Sequence, residues 1–223
     1  MLGSTHHLVI DLETFATSPR AMVRSIGLAR FDPWSDAPPK ATRYVLSPTE
    51  QEGREVDAEI MLWWMRQPEG ARSSFVGDGR TCRMQTLICH SDLFAARDMG
   101  CDVGWPVVWC KPLHFDVPIL LDLLRSKWPS IDREDGPLYR RRVHNARTIY
   151  EAASLLGERV DEDPAREGIN PDDLHDPSVD ARLTALTVRR ALRILRDAST
   201  STGTRRPPRE LFVDDDERLV DRV

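Results

Sequence analysis

Apolar residues recur along this chain with two periods, and the change from one to the other marks out its elements. Residues 7–12 (HLVIDL) form a short, nearly continuous apolar run, the pattern of a strand buried on both faces. The stretch 22–32 (MVRSIGLARFD) alternates and predicts a second strand, and 41–47 (ATRYVLS) predicts a third. FDPWSDAPPK between them is a Pro-rich connecting loop. Helical spacing begins near Asp57, with Ile60, Trp63 and Trp64 as expected core anchors. Pro68 interrupts that helix, because proline has no amide hydrogen to donate. A helix is expected around 91–98. PVVWC (106–110) reads as another buried strand, and FDVPILLDLLRSKW (115–128) as the helix after it. Residues 143–153 fit a strand or a helix, and the acidic stretch 157–174, with its Gly and Pro, reads as a loop.

The longest helix comes last. Ala181, Ala185, Val188, Leu192 and Leu195 recur at steps of four and three, which draws one apolar stripe. Asp176 supplies its N-cap and Pro177 a first helical residue whose missing amide costs nothing there. From Ser199 the chain turns to STSTGTRRPPRE. The expected organisation is one domain over 1–198 and a tail over 199–223, disordered or docked as an extension. Three early strands followed by alternating helix and strand define an α/β layer architecture with a mixed sheet.

Bulk properties narrow the class. A chain of 223 residues supports one well-packed domain. At 40% hydrophobic and 30% charged residues it is a globular rather than a disordered chain. No apolar run approaches the roughly 18 residues of a bilayer span, and MLGSTHHLVID lacks the basic segment of a secretory signal. A cytoplasmic protein is therefore expected. Cys82, Cys89, Cys101 and Cys110 form no CxxC pair, so reduced thiols are favoured over a zinc site with His90. The net charge of −5 argues against a nucleic-acid partner only until bound cations are considered, since they reverse the local field. Arg140, Arg141 and Arg142 read as a solvated face.

Candidate chemistry starts with Asp11 and Glu13, two apart on a strand and so on one face of it. Two adjacent acids repel, and a hard cation with oxygen ligands relieves the repulsion. Singly, each acid has a plainer explanation. Asp-x-Glu also suits a solvated strand end, Asp116 suits the first turn of a helix, and Asp180 suits the first turn of the last one, with His175 in the loop before it.

As an ordered set they carry more: Asp-x-Glu on the first strand, Phe-Asp after a central strand, and His-x4-Asp before the last helix. This order resembles the DEDDh branch of the DEDD exonuclease superfamily, which includes RNase T, oligoribonuclease and polymerase proofreading domains. Phage- and mycobacterial-type members open on VIDLETxxTSPxAxVxSIGxxxFDP, and this chain reads VIDLETFATSPRAMVRSIGLARFDP. LWWMRQPEGARSSF and HDPSVDA match two further segments, so the resemblance spans roughly residues 7–196.

The resemblance implies an RNase H-like fold with a five-stranded mixed sheet flanked by helices. It also implies a 3′→5′ exonuclease acting on single-stranded nucleic acid with a free 3′ end, in a cytoplasm that is a host's if the chain is phage-encoded. Asp11, Glu13, Asp116 and Asp180 would ligate two divalent cations, Mg²⁺ first and Mn²⁺ second, as hard oxygen ligands favour. His175 would be the general base, since imidazole exchanges protons near neutral pH. Leu12 and Thr14 would lie near the terminal nucleotide, with Phe115 against a base or ribose, or simply buried. One stretch departs from the pattern. Where the family commonly has W-G-N-G-x-x-F-D, this chain has Trp109-Cys110-Lys111-Pro112-Leu113-His114-Phe115-Asp116. Either Lys111 and His114 meet phosphate there, or the pocket is altered. The rival expectations are a catalytically weak binding or scaffolding module of the same fold, and an RNase H-like endonuclease. RNA versus DNA and a homo-oligomer stay open.

Overall fold

The strand at the centre of the molecule is the one that carries Asp11 and Glu13. In the computed structural model, which describes residues 6–76, 81, 83, 105–134, 136–157 and 159–200, β1 (His7–Thr14) pairs antiparallel with β2 (Val23–Phe31). On its other edge β1 pairs parallel with β4 (Val107–Cys110). β3 (Lys40–Val45) extends the sheet antiparallel beside β2, and β5 (Val143–Asn145) parallel beside β4. The order β3-β2-β1-β4-β5 is a five-stranded mixed sheet of RNase H-like type. Among the described residues its α-helices are α1 (Ala58–Met65), α2 (Glu69–Val76), α3 (Leu113–Arg125), α4 (Ala146–Ser154) and α5 (Pro177–Thr200).

Two cores sandwich the sheet, which is why β1 reads as an unbroken apolar run. Leu8, Ile10 and Leu12 face one way, into a cluster with Ile119, Leu120 and Leu124 of α3. Val9 faces the other way, with Trp109, Tyr150 of α4, and Ala181, Ala185 and Val188 of α5. The small residues on α5 let it lie close to the sheet. Closest of all is Gly27, opposite Asp11 on β2: a Cβ there would stand 1.8 Å from the carbonyl oxygen of Pro177. That contact sets the first turn of α5 directly over the Asp11 end of β1.

Asp176 caps α5 as expected, its carboxylate accepting from the Ser178 amide at 2.9 Å. Residues 143–153 prove to be both options in turn, strand β5 and then α4, with the Asn145 side chain capping the helix. α3 starts two residues earlier than expected and ends three earlier. α5 runs through Thr200, two residues past the expected domain end; 201–223, like the helix expected at 91–98, lie outside the described residues.

The expected anchors of α1 need correction. Trp64 is buried at 3% exposure, its indole donating to the Thr14 carbonyl at 3.0 Å, but Trp63 is 42% exposed and Ile60 only half-buried. A helix of two turns at the sheet margin can bury one face, and adjacent residues point about 100° apart on it. Cys110 is a buried free thiol, while Cys82, Cys89, Cys101 and His90 lie outside the described residues. Arg142 is occupied structurally, donating to the carbonyls of Glu134 and Gly136.

Candidate active site

Three chain segments converge on the C-terminal end of β1. Asp11 and Glu13, on alternate positions, face the start of α5. Asp116 arrives from the first turn of α3, immediately after β4, and its carboxylate accepts from the backbone amides of Leu12 and Lys111. Asp180 comes from the first turn of α5, and the His175 amide donates to it at 3.1 Å. His175 itself adopts a left-handed backbone, φ +69°, a conformation that non-glycine residues rarely hold without support from their surroundings. Its ring packs edge-on against Trp63 and Trp64, at 5.2 and 6.1 Å between centroids. Ligand-type atoms of Glu13, His175 and Asp180 all lie within 4.8 Å of one another.

This clustering is electrostatically unfavourable without a cation. Burial, then repulsion from Glu13, Asp116 and Asp180, holds the Asp11 carboxyl well above the usual range. Burial, followed by Asp180 and Asp116, does the same to Glu13, and burial raises Asp180 against the opposing pull of His175. Asp116 is pushed up to about 7, chiefly by burial. Its Oδ2 is buried with no hydrogen-bond partner. A partnerless carboxylate oxygen among three other crowded carboxylates is a donor set that divalent cations satisfy.

The acids line a cleft of about 490 Å³ that also includes Leu12, Lys111, Phe115, Glu162 and His175. A second cleft of about 250 Å³ adjoins it, sharing Leu12, Glu13 and Phe115 and continuing over Thr14, Ile60 and Trp63. All eight residues singled out from the sequence thus border one continuous depression. Thr14 does so with its hydroxyl already donated to the Ala16 carbonyl at 2.6 Å. His114 does not belong here: it is exposed and lines neither cleft. Sequence reasoning missed Glu162, hidden in an acidic loop with no motif around it. It also missed the place of Trp63, an expected core anchor that lines the adjoining cleft instead.

Fold and acidic cluster together define the class, a DEDDh-type 3′–5′ exonuclease domain. More particularly, residues 6–192 match the model of the 3′–5′ exoribonuclease Rv2179c-like domain, and the chain belongs to that family. An exodeoxyribonuclease of Enterobacteria phage T4 is 24% identical over 127 residues, 53% of this chain and 55% of the phage protein. Among solved structures, Escherichia coli exonuclease I with a dT13 oligonucleotide superposes with a TM-score of 0.56 at 14% identity, over 87% of this chain and 43% of that one. The zinc-bound complex of the same enzyme with single-stranded DNA gives 0.53 at 14% identity, over 88% and 43%. The chain thus spans about half the length of these relatives. No helix among the described residues is long and apolar enough to cross a membrane.

Proposed function

We propose that this chain is a metal-dependent 3′→5′ exonuclease that removes nucleotides one at a time from single-stranded nucleic acid, RNA being the first substrate to test given its family. The observation that carries the reading is the convergence of Asp11, Glu13, Asp116 and Asp180 on one cleft beside His175. In this reading those four carboxylates hold two divalent cations, Mg²⁺ or Mn²⁺. Bound there, the cations supply Lewis-acid activation of water and neutralise charge building on the scissile phosphate.

The chain's own residues do the rest. His175 takes the proton of the attacking water. The Asp180 carboxylate, bonded to the His175 amide, fixes where that residue stands. Trp63, edge-on to the ring, limits its swing. The adjoining cleft receives the terminal base between Leu12, Ile60, Trp63 and Phe115, a contact that favours single strands because a duplex end must first unstack. The oxygen of the broken bond leaves on the shortened strand, whose new 3′ hydroxyl is the next end to enter.

A time course on 5′-labelled single-stranded RNA and DNA, in Mg²⁺ and in Mn²⁺, tests this. A ladder shortening from the 3′ end, slowed by a 3′-phosphate, is the expected result. Cutting of a circular single strand would identify an endonuclease instead, and binding without cleavage under every condition would leave only a binding module.

A further inference from the structure

Of the described side chains lining the catalytic cleft, Lys111 is the one permanent cation, against five carboxylates. It follows β4 directly, and its charge is felt by Asp11, Asp116 and Asp180. Its ion pair, however, is with Glu162. Glu162 is itself pinned from two helices: its Oε1 accepts from Thr184 of α5 at 2.7 Å and from the Tyr150 hydroxyl of α4 at 3.1 Å. Two neutral donors thus hold one oxygen and leave the other for the ammonium. An unrestrained ammonium on a four-carbon stem would be drawn into the crowded acids, where it would compete with any metal ion. Glu162 prevents that and leaves the charge on the cleft wall, with 28% of the Lys111 side chain still exposed.

Resting on the exonuclease reading above, we propose that Lys111 binds a phosphate of the substrate strand in the catalytic cleft, and that Glu162 is the positioning residue that keeps its ammonium clear of the metal-binding carboxylates. This gives a physical role to the stretch where the chain departs from the W-G-N-G pattern. Small residues there would bring a phosphate against backbone; Lys111 meets it with charge.

The test separates binding from turnover. Anisotropy of a labelled single-stranded RNA in Ca²⁺ reports binding, and the Mg²⁺ time course reports KM and kcat. Lys111→Met should weaken RNA binding and raise KM by roughly tenfold, the worth of one charge-assisted hydrogen bond, with a smaller change in kcat. The slope of log affinity against log salt should fall by about 0.7, one phosphate contact on a single strand, and Lys111→Arg should recover most of both. Unchanged affinity and salt slope in Lys111→Met would overturn the phosphate role, even with wild-type exonuclease activity intact. Conversely, absent turnover in the wild type with the binding losses as stated would sink the exonuclease reading and leave Lys111 as a phosphate ligand. For Glu162, the Gln variant keeps an oxygen for Tyr150 and Thr184 but releases the ammonium. Calorimetry should show Mn²⁺ binding weakened roughly tenfold in Glu162→Gln and restored in Lys111→Met/Glu162→Gln. Unchanged binding in the single variant, or a loss the double variant does not restore, would refute the positioning role.

Discussion

Replacing Asp116 by Asn should make the metal-free protein more stable at pH 8, although it removes a residue of the proposed active site. Asp116 is 2% exposed, and burial lifts its carboxyl from an ordinary 3.8 to about 7. A group whose folded pKa is raised binds its proton more tightly folded than unfolded, so stability falls as pH climbs between the two values. Above pH 7 the full penalty applies. At roughly 1.4 kcal/mol per pH unit it is at most about 4 kcal/mol, and roughly 2–4 kcal/mol after relaxation. Asn keeps an oxygen for the Leu12 and Lys111 amides and carries no charge to desolvate. The expected gain in melting temperature is about 5–10 °C for a domain of this size. Thermal melts in EDTA at pH 8 and pH 5 measure it. The gain should shrink to less than half at pH 5, where the folded wild type already holds the proton. Saturating Mn²⁺ at pH 8 should offset most of that gain: about 2.7 kcal/mol of stabilisation at a hundred times Kd for the wild type, and little for the variant. A variant that melts at or below wild type at pH 8, or whose gain does not depend on pH, would refute the account of Asp116 as a buried carboxylate whose charge destabilises the metal-free fold.

Two further outcomes concern turnover. His175→Ala should lower kcat by roughly 10²–10⁴-fold with Mn²⁺ binding retained in calorimetry; a near-wild-type rate would place the base elsewhere. Trp63→Ala should raise KM for single strands by about tenfold, within the range for losing one base–aromatic stack. Because Trp63 is already 42% exposed, melting temperature should barely move; a large drop in stability with KM unchanged would make it a structural residue after all.

The sequence by itself determined what depends on near neighbours along the chain. A period of two puts Asp11 and Glu13 on one face of a strand whatever surrounds it, and a period of 3.6 gathers Ala181, Ala185 and Val188 onto one side of α5. The Asp176–Pro177 start of that helix was legible because a cap satisfies amides two or three residues away. The ordered motifs carried the family and the five residues that meet in the first cleft, since the path from strand end to helix start is short at each. Tertiary structure decided everything that depends on which distant segments meet. Trp63 and Trp64 are neighbours in the chain with opposite fates, because only one of them faces Thr14 across the fold. Glu162 lies 51 residues from Lys111 and had no local signal at all. Gly27 reads as an ordinary strand residue until Pro177 is packed against it. The raised pKa of Asp116 likewise follows from burial, which no window of sequence contains. Periodicity and capping act over a few residues, whereas desolvation and charge crowding are set by whatever packing brings within a few ångströms.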